Sequence, residues 1–355
     1  MLRSRRLVTL ACALPFVITA CGGGGEDSGD GGTDTASQGS NAEPVTLRFA
    51  SQYAEDDYRG VLSQMFADEV DERTDGSVTF EIYPNGSLMK PTETYQAMRS
   101  GSLDAAVLPL DYASGQVPEF SMAIMPAVVQ TYQQAENWQD AEIGQRMQEI
   151  AEENGLHITV WNWGAGAFGV KGGSPVVVPG DIPSGQTARG AGPYAEMLLE
   201  HAGYSITSMP SSDIYNGFQT GILDAVVTTP SSFCAFNLQE QIDSYTSPSE
   251  PGQSWWFTLH PIVVSTQALD KLSDDQREAI DAAAEAVQDF AYDTPIENDA
   301  ACEQTMADAG VEVAHIEGDQ YQEWVDLAQP VWEQFGKDVE GGQELIELAR
   351  EVPTE

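Results

Sequence analysis

The strongest chemical motif in the sequence is Gly164-Ala-Gly166-Ala-Phe-Gly169, a GxGxxG that comes after an apolar run, Ile158–Trp163, with the character of a strand. A dinucleotide-binding turn of this spacing must open a helix whose N-terminus faces the pyrophosphate. The next residues, Val170-Lys-Gly-Gly-Ser-Pro-Val-Val-Val-Pro179, are strand-like, so the motif reads as a flexible turn or a crossover between lobes. GxSxG elbows, HExxH helices and P-loops do not occur in the sequence. His157, His201, His260 and His315 are isolated, and no Cys/His spacing suggests a metal site. Among 56 acidic residues, paired carboxylates arise by chance and carry no acid/base signal. Neither an enzyme, a cofactor nor a metal is expected, and the chemistry left to the chain is binding.

A length of 355 residues suits two lobes better than one. The formal charge of −41 comes with only four lysines, which leaves no basic face for nucleic acid and none for anionic lipid. With 41% hydrophobic residues and seven tryptophans the chain still has the apolar surface to fold. The charge therefore reads as a solvated acidic skin of the salt-adapted kind, its self-repulsion screened at high ionic strength.

Residues 1–20 have the basic, apolar and small-residue zones of a signal peptide: Arg3, Arg5 and Arg6, then Leu7 through Ile18, then Thr19-Ala20. The apolar stretch is too short to span a bilayer, and Pro15 interrupts it. Ile18-Thr19-Ala20-Cys21 resembles a bacterial lipobox, with Cys21 as the lipidated first residue of the mature chain. Residues 21–44 are Gly/Ser/acidic and read as a flexible linker behind that anchor, reaching roughly 25–30 Å. The expectation is an exported protein held by lipid on the outer face of the cytoplasmic membrane, periplasmic or at the cell surface. Cys234 and Cys302 remain in an oxidising compartment, where a disulfide is expected and two buried thiols are the alternative.

The elements that must position any site alternate strand and helix: strand Thr46–Ser51, helix Tyr58–Arg73, strand Val78–Tyr83, helix Pro91–Arg99, strands Ile158–Trp163 and Val176–Val178, and helix Pro193–Ala202. Tyr95-Gln-Ala-Met-Arg-Ser-Gly-Ser-Leu-Asp-Ala-Ala-Val107 and Tyr215-Asn-Gly-Phe-Gln-Thr-Gly-Ile-Leu-Asp-Ala-Val-Val227 align without gaps, which predicts one helix–turn–strand unit in each of two lobes. Ser273-Asp-Asp-Gln276 is a capping box for a long helix to about Ala309, with Pro295 inside it as a kink or break. A last strand, Val311–His315, and helices near Asp319–Lys337 and Gln343–Arg350 complete the pattern. This is an α/β chain with a two-lobed, periplasmic-binding-protein-like fold, a hinge, an inter-lobe cleft and a long helix in its C-terminal region. The expected division is lobe I at 45–165 with about 255–294, and lobe II at 166–254 with about 295–355.

Seven collinear segments resemble the DctP-type solute-binding proteins of TRAP (tripartite ATP-independent periplasmic) transporters over about residues 45–340. They are Tyr83-Pro-Asn-Gly-Ser-Leu88, Met98-Arg-Ser-Gly-Ser-Leu-Asp-Ala-Ala106, Pro118-Glu-Phe-Ser-Met-Ala-Ile-Met-Pro126, Pro183 through Arg189, Met209-Pro-Ser-Ser-Asp-Ile-Tyr215, Gln219-Thr-Gly-Ile-Leu-Asp224, and Asp270-Lys-Leu-Ser273. The resemblance implies a receptor that binds a small organic acid between its lobes and delivers it to the small and large membrane subunits of a transporter. It implies that Arg189 holds the ligand carboxylate, a role for which a guanidinium is suited because it pairs bidentately and stays charged when desolvated. A structural arginine is the alternative. Phe168 falls where many members carry a second arginine, and Thr228 where they carry an asparagine, which argues for a monocarboxylate or zwitterion over a dianion. Tyr53, Asp111 and Tyr112 fall at ligand-reaching positions, and Trp163 and Trp256 are aromatic candidates whose alternative is core packing. Competing readings are an ABC-transporter-type binding lipoprotein and, further off, an exported hydrolase.

Overall fold

The computed structural model describes residues 44–183, 185–248 and 252–354. The segments expected as signal peptide and linker, with Cys21 as the expected lipid site, lie outside the described residues except for Pro44.

The first part of the chain runs β1 (Val45–Ala50), α1 (Tyr58–Arg73), β2 (Val78–Tyr83), α2 (Thr94–Arg99), β3 (Ala105–Val107), α3 (Tyr132–Asn137), α4 (Glu142–Glu153) and β4 (Leu156–Val160). Helix α1 starts where the Asp57 carboxylate accepts the Arg59 amide, and it buries Leu62, Phe66 and Val70 at four-residue spacing. Two short strands, β5 (Trp163–Ala165) and β6 (Ala167–Val170), carry the chain into a second sheet. The second sheet's layer continues with β7 (Thr187–Arg189), α5 (Pro193–Ala202), β8 (Ser205–Ile206), α6 (Ile214–Gln219), β9 (Ala225–Thr228), α7 (Pro230–Ala235) and β10 (Ser244–Ser247). The return uses β11 (Phe257–Leu259), β12 (Ile262–Ser265) and α8 (Thr266–Leu269). The last elements are α9 (Asp274–Asp308), β13 (Glu312–His315), α10 (Asp319–Asp338) and α11 (Gly342–Glu351).

One sheet has the order β2-β1-β3-β12-β4, with β1 parallel to β2 and β3, and β12 antiparallel to its neighbours. The other has the order β13-β10-β6-β9-β7-β8. Between the sheets, β5 and β11 form an antiparallel pair. Helix α9 is the third connection: it packs on α1 and β4 of the first sheet's layer and on α7 and β13 of the second's. The Ser273/Gln276 capping box opens it, and Pro295 is accommodated inside a continuous helix rather than breaking it. Cys234 of α7 and Cys302 of α9 form a disulfide.

The aligned segments take one local form. Gly101 and Gly221 come after α2 and α6 with φ of 72° and 73°, a left-handed turn that glycine enters without strain. Asp104 and Asp224 then stand before β3 and β9, and each carboxylate accepts a backbone amide of the neighbouring parallel strand, Arg48 at 3.0 Å and Thr187 at 2.8 Å. Val176–Val178, expected as a strand, is an irregular segment. Its carbonyls and amides are used locally, Val177 and Val178 donating to Asp181 and Val177 accepting from the Trp324 indole.

The GxGxxG segment is the crossover, and its glycines are set by packing. A Cβ on Gly164 would meet Thr229 at 2.6 Å, on Gly166 the Trp256 ring at 2.2 Å, and on Gly169 the Phe233 ring at 2.5 Å. Gly166→Ala is expected to destabilise the protein by about 1–3 kcal/mol, the range for overpacking a close-packed site. Urea unfolding monitored by tryptophan fluorescence measures it, and an unchanged midpoint would show that the Trp256 ring yields without cost.

Candidate functional site

Arg189 ends β7, where its backbone pairs in parallel register with Val226 of β9. The side chain runs under the turn after β8: Nε donates to the Met209 carbonyl at 3.0 Å and Nη1 to the Val227 carbonyl at 3.2 Å. Arg189 is 2% exposed, yet among the described residues no carboxylate pairs with it and Nη2 donates to no protein acceptor. A buried cation without a direct ion-pair partner is expensive unless something else supplies one.

The guanidinium lines a small cavity that opens to solvent. Tyr53, Asp111, Tyr112, Arg189, Thr228 and Trp256 of the expected residues meet there. They come from both sheets. Tyr53 lies just past β1, Asp111 and Tyr112 just past β3, Arg189 and Thr228 end β7 and β9, and Trp256 precedes β11. The walls touch across the cavity, since Tyr112 Oη accepts from the Ser211 amide at 3.0 Å and lies 3.3 Å from Ser211 Oγ.

Asp111 is 5% exposed, and no other side chain donates to its carboxylate. Burial pushes it up to about 6, opposed by the attraction of Arg189. At pH 7 the cavity therefore presents a cation and, opposite it, a carboxylate with free acceptor capacity.

Two expected residues stand elsewhere. Strand alternation turns Phe168 of β6 away from the Phe233 side, and its ring packs at 5.7 Å on Tyr204, lining a separate small cavity with Thr246, Trp255 and Tyr321. Trp163, at the start of β5, packs edge-on against Trp138 with centroids 5.1 Å apart and lines a groove beside Tyr132 and Tyr292. Phe168 therefore has no bearing on the charge of a ligand in this cavity.

Sequence reasoning missed Arg59, Ser211, Thr229 and His260, which also line it. Arg59 is 1% exposed; its Nε and Nη2 fork onto Asp57 at 2.7 Å each, its Nη1 donates to Ser232 Oγ at 3.1 Å, and its guanidinium carbon sits 3.5 Å above the Tyr53 ring centre. The only sequence trace of this is Asp57 two residues before Arg59, a pattern indistinguishable from ordinary helix capping. His260 Nε2 lies 3.0 Å from Tyr58 Oη. Burial, then repulsion from Arg59, holds its imidazole well below the usual histidine range, so it is neutral.

The Asp111 carboxyl is easier to protonate in the folded chain than in the unfolded one, where its value is 3.8. The native state therefore carries a penalty above pH 6 that is relieved as pH falls from about 6 toward 4. Asp111→Asn is expected to stabilise the ligand-free protein at pH 7 by on the order of 2–3 kcal/mol and to have no effect near pH 4. Denaturant titrations at the two pH values measure this, and an equal effect at both would assign the change to packing.

Residues 49–338 match the family described as bacterial extracellular solute-binding protein, family 7 (DctP). A solute-binding protein of Albidiferax ferrireducens is 35% identical over 317 residues, 88% of this chain and 93% of that one. The C4-dicarboxylate-binding periplasmic protein DctP of Rhodobacter capsulatus is 22% identical over 316 residues, 88% of this chain and 92% of its own. A TRAP periplasmic solute-binding protein of Rhodoferax ferrireducens, solved with bound malonate, superposes with a TM-score of 0.83 at 34% identity, covering 86% of this chain and 98% of that chain. A Sulfitobacter protein solved with β-D-galacturonate shares the fold, with a TM-score of 0.79 at 23% identity over 86% of this chain and 99% of its own. The chain thus belongs to the DctP-type extracytoplasmic solute-binding proteins of TRAP transporters, which are receptors rather than enzymes, and has their two-lobed fold.

Proposed function

We propose that this receptor captures a small organic monocarboxylate that also carries a hydrogen-bond donor, a hydroxyl or an ammonium, and hands it to the small and large membrane subunits of its transporter. The observation that carries the reading is the buried Arg189 guanidinium, held by two backbone carbonyls and paired directly with no carboxylate among the described residues. A ligand carboxylate would supply that anion, and Asp111 would accept from the donor on the same molecule.

Charge favours one carboxylate over two. Arg59 is already neutralised by Asp57, and Arg189 faces an ionised Asp111. A monoanion therefore brings the buried set to a single excess negative charge, whereas a dianion brings it to two. The Rhodoferax relative was solved with malonate, a dianion, and the Sulfitobacter relative with a uronate, a monoanion rich in hydroxyls. The second is the closer chemical match to a cavity that pairs Arg189 with Asp111. Catalysis is not part of this reading. Cys21 would tether the receptor by lipid, and the lobes would divide at the two strand crossovers, 45–165 with about 255–294 against 166–254 with about 295–355, with the cleft between them.

Calorimetric titration of the folded chain in molar salt, against hydroxy acids, uronates, amino-acid derivatives and dicarboxylates, tests the proposal. Arg189→Ala is expected to weaken the best ligand by at least about thirtyfold, since it removes one partner of a desolvated charge pair. Arg189→Lys keeps the charge but not the planar fork and should recover only part of the loss. Undiminished binding by Arg189→Ala would remove the carboxylate clamp, and tighter binding of dicarboxylates than of hydroxy monoacids would reverse the substrate class.

A further inference from the structure

The geometry points to Arg59 as a second ligand-holding group, one that selects a neutral oxygen, hydroxyl or carbonyl, placed on the ligand away from its carboxylate. This rests on the cavity being the solute site. A guanidinium has five N–H donors. Arg59 spends two on Asp57 and one on Ser232, which leaves two without an acceptor among the described residues. The side chain is 1% exposed and lines the same cavity as Arg189, so bulk water is a poor supplier of the missing acceptors.

The group is fixed before any ligand arrives. Asp57 grips one edge through a two-pronged fork, and the Tyr53 ring supports one face. Ser232, on the helix after β9, takes Nη1 from the other side, so α1 and α7 both hold the guanidinium in place. Donors immobilised in this way can read the position of an acceptor without paying for ordering on binding.

Charge decides what they read. Asp57 offsets much of the guanidinium's charge, so Arg59 offers directed N–H groups with less attraction for a second carboxylate than an unpaired guanidinium has. Asp111 adds an ionised carboxylate to the same cavity. A hydroxyl satisfies both neighbours, accepting from Arg59 and donating to Asp111, and a carbonyl satisfies Arg59 alone. The ligand class is thus a monoanionic hydroxy, polyhydroxy or oxo acid. An arginine that only braces α1 against α7 would share the burial and the Ser232 contact, but it would show no preference among ligands.

Paired ligands separate the two roles. Calorimetric titrations would compare D-glucuronate with cyclohexanecarboxylate and lactate with propanoate, each pair sharing a carboxylate and differing in oxygens, for the wild type and Arg59→Met. Because the single change leaves Asp57 buried without its partner, Asp57→Asn/Arg59→Met is measured beside it. The expected result is a loss of about tenfold or more for the oxygenated member of a pair and less than about twofold for its partner. Equal weakening of both members in the variants would make Arg59 a brace, and unchanged binding of both would remove it from the site; either overturns the inference. A wild type that binds no carboxylate overturns the solute-site reading and this inference together. A wild type that binds, with variants that do not discriminate, overturns the inference alone.

Discussion

The proposed site is arranged around one buried cation that no carboxylate among the described residues pairs with directly. The Arg189 guanidinium is buried with two backbone carbonyls and no carboxylate partner. Carbonyl dipoles hold a guanidinium in place and offset part of its desolvation, and Asp111 and Glu196 attract it without pairing with it, so its direct anion partner is still missing. Such a group is tolerable only if the surrounding structure is rigid enough to keep it and if solvent or an anion can still reach it. The first condition is met by placing it at the shared end of β7 and β9, one strand in from the β8 edge of the six-stranded sheet. The second is met by the cavity, whose opposite wall belongs to the other sheet.

That division of labour explains the connections between the sheets. A receptor that closes over its ligand must let two rigid walls move relative to each other without unfolding either. Here the chain passes between sheets in β5 and β11, a two-stranded ribbon, and in α9, whose Pro295 removes one backbone donor and weakens the helix locally where it leaves α1 for α7. The ribbon and the helix are tied to each other by Tyr132, whose hydroxyl accepts from the Ala165 amide at 3.0 Å and donates to Asp299 at 2.6 Å. Beyond Pro295, the Cys234–Cys302 disulfide anchors the far half of α9 to α7. The contacts between Tyr112 and Ser211 are of a different kind: few, polar and at the cavity wall, where they can exchange with water.

The parts of this arrangement that depend on neighbours in sequence were legible in it. The Ser273 cap, the glycines that end α2 and α6, and the aspartates that open β3 and β9 are all local signals, and each stands where its spacing placed it. Tyr53, Asp111 and Tyr112 were legible through the resemblance, because strand ends of a parallel sheet face its crevice. Phe168 and Trp163 line other cavities for a reason internal to strands: the side-chain period is two, so neighbours in one segment face opposite ways. Arg59 and His260 failed because their role is tertiary. Nothing near Arg59 in sequence says that Ser232 and Tyr53 will meet it, and an isolated histidine between two short strands carries no spacing at all.

The glycine motif shows how a correct exclusion can still leave the cause unread. Spacing alone made Gly164, Gly166 and Gly169 resemble a phosphate-binding turn, and the strand-like residues after them argued that no helix N-terminus was available for an anion. What the residues do instead is visible only in three dimensions. Thr229, Trp256 and Phe233 press on the crossover so closely that a methyl group at any of the three positions would collide with a side chain. Both uses of glycine exploit the missing Cβ, one to let a phosphate approach the backbone and the other to let a side chain do so. In this protein the side chains so admitted include Trp256 and Thr229, which line the cavity beside Arg189, so the glycines serve the site by letting its wall stand close to the hinge.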